Sequence, residues 1–212
     1  MTTRFQATIS DVTITAQADP DQAAAVSGLF YVLRSLPPGT LVDGRPVLLH
    51  GNLFVLRASD DGLTIHAPDY LGDPDADLTD DLTLALWVMN AQAQLLRRFG
   101  PEGQPTRWDD TIVVQKGVLD AEAVYLHRTP TERERDSGWY VGAVGGDDPP
   151  RVDELERIRA YELLSRRPAL VPLLALPDGH LAIVVGDEID GVQGPDGEML
   201  PDLAAQSRPR SP

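Results

Sequence analysis

Cysteine is absent from the sequence, and lysine occurs once, at Lys116. Without cysteine, the chain can form neither disulfide bonds nor thiolate metal sites. It also has no run of roughly eighteen apolar residues, so we expect no transmembrane helix. The first residues lack the apolar stretch of a signal peptide, and we therefore expect a cytoplasmic protein.

Positive charge is scarce relative to negative charge. The chain has 18 Lys and Arg residues against 33 Asp and Glu residues, which gives a formal net charge of -15. Such a charge repels phosphates, so it disfavours nucleic acids and anionic membranes as partners. It favours a basic protein partner, with high solubility alone as the alternative.

A glycine-rich segment, D-S-G-W-Y-V-G-A-V-G-G-D-D at residues 136–148, raises the possibility of a phosphate-binding loop. Its glycines do not have the G-x-G-x-x-G spacing of a dinucleotide site, and a P-loop would need lysine after glycine. The two aspartates at its end, Asp147 and Asp148, would repel a phosphate. The segment is therefore predicted to be a β-strand whose glycines let another group come close.

Two neighbouring aromatic residues, Trp139 and Tyr140, lie in this predicted strand. Successive side chains of a strand point to opposite faces, so only one of the two rings can enter the core. We expect the other ring to be exposed beside Asp147 and Asp148 and to contact a partner. These four residues form the first candidate binding site.

The segment D-Y-L-G-D-P-D-A-D-L-T-D-D, residues 69–81, concentrates acidic side chains. Asp73, Asp75 and Asp77 have the spacing of the first calcium ligands of an EF-hand loop. However, Leu78 and Leu84 occupy the positions that require Gly and Glu. We interpret the segment as a solvated acidic rim on which a basic partner can dock. The candidate residues of this rim are Asp69, Asp73, Asp75 and Asp77.

No pattern in the sequence predicts catalysis. The histidines lack the H-E-x-x-H and H-x-H spacings of metal sites, and no G-x-S-x-G nucleophile motif occurs. We therefore predict no catalytic residue, no metal and no cofactor. An enzyme of a class that the sequence does not identify remains the alternative.

Apolar periodicity predicts interspersed strands and helices. The predicted elements include a strand at 5–15, a helix from Asp19-Pro20 to Leu36, a meander with a hairpin at Asp61-Gly62, and helices at 79–99 and 153–166. The helix at 79–99 has Thr79 as its predicted cap, and Trp87 suggests that the helix is well buried.

This order of elements predicts an α+β fold with mostly antiparallel sheets and a few packed helices. The chain length is compatible with one domain or two small subdomains. The Pro- and Gly-rich residues 100–107 are interpreted as a linker. The predicted regions are residues 1–104, residues 109–198 and a flexible tail at 199–212.

Several segments after Thr111 occur in the order found in a known family. These are T-I-V-V-Q-K-G-V-L (111–119), D-S-G-W (136–139) leading to G-G-D-D (145–148), Y-E-L-L-S-R-R-P-A-L-V-P-L-L (161–174), and Gly179 before the last strand. In this order they resemble the immunity-protein-33-like domain of bacterial polymorphic-toxin systems, over about residues 111–198. The N-terminal half is more faintly similar to longer members, in a strand pair, an acidic loop and a helix.

The resemblance implies a non-catalytic α+β domain that protects a producing cell by binding a toxin. It supplies no catalytic residues. Together with the acidic charge, it predicts a cytoplasmic immunity protein that occludes a basic toxin domain. A protein-interaction or regulatory module outside toxin conflict is the alternative.

Overall fold

The computed structural model describes residues 1–37, 39–145 and 150–206. The chain divides between Asn90 and Ala91 into two compact units, and the division falls within one helix. In the described ranges, each unit contains a six-stranded sheet with one parallel pair of strands and otherwise antiparallel pairing. The predicted α+β class with mostly antiparallel sheets is confirmed.

The first unit is built on the sheet β1-β2-β5-β4-β3, with β6 paired to β5. Its elements in chain order are β1 (Thr3–Ile9), β2 (Val12–Ala18), α1 (Ala23–Arg34), β3 (Pro46–Leu49), β4 (Asn52–Ser59), β5 (Gly62–Pro68), β6 (Leu78–Thr79) and the first part of α2 (Thr83–Phe99). The side chains of α1 that enter the core are Val26, Leu29, Phe30 and Leu33.

Tight hairpins connect β1 to β2, β3 to β4 and β4 to β5. The single strand predicted at 5–15 is wrong, because Ser10 and Asp11 form a turn that separates β1 from β2. Both turn residues have positive φ, at 49° and 66°, as in a type I′ turn, whose twist matches that of the flanking strands. The alternation of apolar residues continues across the turn and conceals it. The hairpin predicted around Asp61-Gly62 joins β4 to β5.

Helix α2 begins later than the sequence indicated. Thr79 belongs to β6, and the helix starts at Thr83, whose backbone N–H donates to Asp81 Oδ1 at 3.0 Å. The apolar face of α2 is buried, as Leu86, Val88 and Leu95 show, but Trp87 is 37% exposed and does not belong to that face. None of the helices in the described ranges has the length and apolar character that a bilayer crossing requires.

The second unit contains the sheet β10-β7-β9-β8-β11-β12. Its elements in chain order are the rest of α2, β7 (Thr111–Gln115), β8 (Ala123–Arg128), β9 (Asp136–Ala143), β10 (Leu155–Arg159), α3 (Leu163–Arg166), β11 (Leu181–Val185), β12 (Glu188–Gln193) and α4 (Leu203–Gln206). An apolar 3-10 segment, Pro168–Ala175, contributes five buried side chains: Leu170, Val171, Leu173, Leu174 and Ala175.

The helix predicted at 153–166 is wrong over most of its length. Leu155–Arg159 forms the edge strand β10, in which Ile158 pairs with Ile112 of β7 and both side chains are buried. Only the last residues, Leu163–Arg166, are α-helical. The short sequence L-E-R-I-R is compatible with the periodicity of a helix and with that of a strand. Its pairing with β7 makes it a strand.

Residues 100–107, which we interpreted as a linker, are attached to the second unit. The Gln104 N–H donates to the Ala175 carbonyl at 2.9 Å, and Thr106 Oγ1 donates to the Leu174 carbonyl at 2.8 Å. Thr106 is buried. The Pro and Gly residues of this segment therefore give it an irregular backbone, but the segment is packed against the second unit and is not a free linker.

Candidate functional site

The segment D-S-G-W forms a bulge at the start of β9. In the parallel pairing of β7 with β9, Thr111 lies opposite Asp136, but Val113 lies opposite Tyr140. Strand β9 therefore accommodates two additional residues over this interval. Bulges of this kind bend a strand and redirect its side chains.

Hydrogen bonds within the segment stabilise the bulge. Asp136 Oδ1 accepts the backbone N–H of Gly138 at 3.0 Å, and Ser137 Oγ accepts that of Trp139 at 3.2 Å. Gly138 has a φ of 74°, and a Cβ at this position would overlap the Thr129 carbonyl oxygen. Glycine is therefore required at position 138, both for the backbone angle and for the close approach of the neighbouring chain.

The Trp139 ring lies in the interior of the second unit. Trp139 is 1% exposed, and its indole N–H donates to Thr106 Oγ1 at 3.0 Å. The Arg128 guanidinium carbon lies 5.6 Å from the centre of the ring, within the range of a cation–π interaction. Trp139 is thus an interior residue, whereas the neighbouring Tyr140, whose ring we expected to be exposed, is half-buried.

Arg128 is a buried cation at the centre of this arrangement. Its guanidinium donates to the carbonyl oxygens of Ser137, Gln104 and Leu176, and it pairs with Asp178 at 3.2 Å. Burial lowers the pKa of Arg128 from its ordinary value, while the nearby carboxylates of Asp178 and Asp110 act in the opposite direction. The side chain thus joins three backbone segments beneath the β8-β9 part of the sheet.

The opposite face of the sheet presents a pair of tyrosines. The rings of Tyr125 and Tyr140 have their centroids 5.7 Å apart and are tilted by 52°. Gly142 lies opposite Tyr125 across the β8-β9 pair, and a Cβ there would come within 2.9 Å of atoms in both rings. The missing side chain at 142 therefore provides the space that the two rings occupy.

The Tyr140 hydroxyl is shielded from solvent, although the residue as a whole is only half-buried. Burial and the nearby Tyr125 hydroxyl raise the pKa of Tyr140 to about 12. Among the described residues, the Tyr140 hydroxyl has no hydrogen-bond partner of standard geometry.

A groove of about 670 Å³ runs beside Tyr140. One wall is formed by Val113 and Tyr140, and the other by the loop at residues 129–133, which includes Thr131 and Arg133. Because the loop side chains are exposed, an external group can enter the groove without opening the core. We refer to this feature as the Tyr140 groove.

The acidic residues predicted as a docking rim lie in the first unit, in the connection between β5 and β6. Asp73, Asp75 and Asp77 are exposed, and Asp69 is half-buried. Asp69 Oδ1 accepts the backbone N–H groups of Leu71 and Gly72, both at 3.2 Å. Asp73 Oδ1 accepts the N–H of Asp75 at 3.2 Å. The rim is thus stabilised by its own backbone hydrogen bonds.

The predicted candidate residues are divided between the two units. Trp139 and Tyr140 lie in the second unit, whereas the rim residues lie in the first. Asp147 and Asp148 lie outside the described residues. In the parts of the chain that the structure describes, no group of three or more His, Asp or Glu side chains has an arrangement that could hold a metal ion.

Comparison with known families matches residues 91–193 to the Imm33-like domain. The match covers slightly less than half of the chain, which is similar to the Imm33-like domain over these residues. The match confirms the resemblance that D-S-G-W and the neighbouring segments indicated. No curated protein and no solved structure shows a significant match.

The limits of the Imm33-like match agree with the structure. The match starts at the first residue of the second unit and ends at the last residue of β12. It therefore includes the whole sheet that carries Arg128 and the tyrosine pair. The match thus relates this unit, and not the first one, to the Imm33-like domain.

Three features of these sites were not predicted from the sequence. Arg128 could have been found, because Val124, Leu126 and Arg128 share one face of β8 and the first two are apolar. Nothing in the local sequence indicated that Gly142 lies against the two tyrosines, because this contact arises from the pairing of β8 with β9. The exposure of Trp87 is equally a tertiary property.

We expect Arg128→Met to lower the free energy of unfolding by about 3–5 kcal/mol, because the substitution leaves buried carbonyl groups without donors. Urea denaturation followed by tryptophan fluorescence measures this loss. Arg107→Met is the matched control, since the Arg107 side chain is 58% exposed and pairs with Asp109 at the surface. The control should lose at most about 1 kcal/mol. Equal losses in the two variants would show that Arg128 has no special structural role.

We expect Tyr140→Phe to be at least as stable as the wild type near neutral pH, because it removes a buried hydroxyl that has no partner. At high pH the difference should grow. The folded chain keeps the Tyr140 proton up to a pKa of about 12, whereas the unfolded chain releases it near the ordinary value of 10.0. The stabilisation from Tyr140 is therefore complete below pH 10 and is lost as the pH rises to 12.

Urea denaturation at several pH values between 9 and 12 tests this expectation, with the pH range set by the pKa of Tyr140. The unfolding free energy of Tyr140→Phe should fall less steeply than that of the wild type. Tyr31→Phe is the control, because Tyr31 is 74% exposed. A Tyr140→Phe profile that matches both the control and the wild type would rule out a shifted hydroxyl.

Proposed function

We propose that the protein is an immunity protein that binds a cognate bacterial toxin and blocks it by occupying its surface, without catalysing a reaction. The observation that carries this proposal is the Imm33-like match over residues 91–193. The toxin would be met in the cytoplasm of the producing cell. The alternative, an interaction module outside toxin conflict, differs in that its partner would not be toxic.

The charge of the chain supports a basic toxin domain as the partner. A formal net charge of -15 creates a negative potential that accelerates encounter with a positively charged protein. Toxins that cleave nucleic acids are basic where they bind phosphates. An acidic surface therefore competes for the same groups that such a toxin uses for its substrate.

The Tyr140 groove is the proposed contact surface of the Imm33-like unit. It combines a half-buried aromatic ring with an exposed polar loop. Aromatic side chains in a concave surface are frequent anchors of protein interfaces, because a partner group can bury them fully. The Arg128 network beneath the same sheet holds this surface in place before the toxin arrives, which lowers the entropic cost of binding.

Co-expression tests the function. The chain is produced in a bacterial host together with the toxin domain encoded by the neighbouring gene, and growth is followed. We expect restored growth and a stable complex of the two purified proteins. An unrelated toxin of similar charge is the control, and the chain should not protect against it. Failure to protect against any toxin encoded beside the gene would contradict the proposal, and binding to a non-toxic protein would favour the alternative.

Filling the Tyr140 groove tests the contact surface. We expect Thr131→Trp to weaken toxin binding by about tenfold or more, because an indole occupies space that partner atoms would fill. Thr131 is exposed, so the substitution should leave the stability of the chain nearly unchanged. Isothermal titration calorimetry with the purified toxin domain measures the affinity.

Val152→Trp provides the matched control for this experiment. Val152 is highly exposed, lies in the same unit and does not line the Tyr140 groove. The control variant should bind the toxin as the wild type does. If Thr131→Trp also binds normally, the toxin contacts the Imm33-like unit elsewhere, although the immunity function itself stands.

A further inference from the structure

A second groove, of about 530 Å³, lies entirely within the first unit. The start of α2 contributes Leu84 and Trp87 to its wall, and the connection after β5 contributes Asp69 and Leu71. Trp87 is 37% exposed and Leu71 is 72% exposed. Two large apolar side chains therefore reach solvent in one concave surface, which is typical of binding sites. We call this feature the Trp87 groove.

Carboxylates surround these apolar groups. Asp19, Asp21, Asp69 and Asp81 line the Trp87 groove, and no Lys or Arg side chain is among its described lining residues. Among the described residues, none of the four forms an ion pair. The local sequence is equally one-sided, because between Arg57 and Arg97 the chain has eight Asp residues and neither Lys nor Arg. The groove thus concentrates negative charge that the unit itself does not neutralise.

One oxygen of three of these carboxylates is held by the backbone. Asp19 Oδ1 accepts the N–H of Asp21 at 3.3 Å, and Asp81 Oδ1 accepts the N–H of Thr83 at 3.0 Å. Asp69 Oδ1 accepts two backbone N–H groups of its own loop. The carboxylates are therefore fixed in position before a ligand binds, and a fixed site loses less entropy on binding than a mobile one.

The combination of an exposed indole with fixed carboxylates is selective for one side chain. The guanidinium of arginine is planar, stacks on aromatic rings and donates two parallel hydrogen bonds to a carboxylate. Lysine offers a compact charge without a face that can stack. The exposed Leu71 adds apolar area for an aliphatic neighbour of the arginine.

We infer that the Trp87 groove binds an arginine-bearing segment of a basic protein. Under the proposed function, on which the identity of this partner rests, that protein is the toxin. The first unit then provides a contact surface of its own in addition to the Imm33-like unit. The toxin would be recognised by both units, through different chemistry in each.

The indole N–H signals in nuclear magnetic resonance spectra provide a direct test on the full chain. The sequence has three tryptophans, and Trp108 and Trp139 are 3% and 1% exposed, so only Trp87 can report on a ligand at the surface. The probe is a short blocked peptide, Gly-Arg-Leu-Arg-Gly, compared with its lysine and glutamate counterparts. We expect the arginine peptide to shift the Trp87 signal saturably and more tightly than the lysine peptide, with no saturable shift from the glutamate peptide.

The salt dependence is part of the same test. Raising the salt concentration from about 0.1 M to about 1 M shortens the Debye length from about 10 Å to about 3 Å. The apparent affinity of the arginine peptide should fall accordingly. Absence of a saturable shift at Trp87, or equal shifts with arginine and glutamate peptides, overturns the inference.

Matched variants test whether the toxin uses the Trp87 groove. The groove variant carries Asp19→Asn, Asp69→Asn and Asp81→Asn, which removes three charges but keeps an oxygen that can accept the backbone N–H groups. The control carries Asp60→Asn, Asp120→Asn and Asp187→Asn, which makes the same change in net charge at exposed positions outside the groove. The groove variant should bind the toxin domain at least about tenfold more weakly than the control.

A second pair of variants tests the apolar part of the site. Trp87→Ala should weaken toxin binding by about thirtyfold, the size expected for an aromatic anchor. Tyr31→Ala is the control, since Tyr31 is an exposed aromatic residue of the same unit outside the groove. Far-ultraviolet circular dichroism and urea denaturation check that all variants remain folded.

These outcomes separate the inference from the proposed function. If the wild type neutralises and binds the toxin but the groove variants bind like their controls, the Trp87 groove is not a toxin contact and the inference is overturned, while the immunity function stands. If the wild type binds no toxin encoded beside its gene, the proposed function fails, and the peptide titration alone decides whether the groove recognises arginine.

Discussion

The buried guanidinium of Arg128 is the interaction on which the second unit depends. A charge in an apolar interior is costly unless hydrogen bonds and an opposite charge compensate for it. Arg128 meets this requirement by donating to the carbonyls of Ser137, Gln104 and Leu176 and by pairing with Asp178. These hydrogen bonds hold the neighbouring chain segments in one arrangement, although the backbone of two of them is irregular.

The same arrangement explains why the D-S-G-W segment has its particular residues. Asp136 and Ser137 satisfy the N–H groups of the bulge, and Gly138 allows the close approach of the Thr129 carbonyl. Trp139 then enters the core beneath Arg128. The feature that resembles a nucleotide-binding loop in composition is thus a structural element that determines which aromatic ring faces outward.

Parts of the fold were predictable from local pattern. Strands with a buried face, such as β8 with its alternating Val124 and Leu126, are specified by a period of two. Helix α1 and most of α2 were predictable for the same reason, with a period near 3.6. The resemblance to the Imm33-like domain came from the order of several segments, of which D-S-G-W is one, and the residues of this segment form the bulge of β9.

Other parts depend on partners that are distant in sequence. Residues 155–159 form a strand because β7 offers an open edge, and residues 100–107 are held by the Pro168–Ala175 segment. Trp87 shares a groove with the connection after β5, and this proximity is not visible in the local sequence. Asp73, Asp75 and Asp77 are exposed and Asp69 is half-buried, but their sequence does not reveal that an apolar groove lies beside them.

The space left by Gly142 has a consequence for how related chains can vary. The rings at positions 125 and 140 overlap the volume that any side chain at 142 would need. A relative that carries a larger residue at the position equivalent to 142 must therefore have a smaller one at the position of at least one tyrosine. The residues at these three positions should therefore covary among related sequences, because the packing of the two rings couples them.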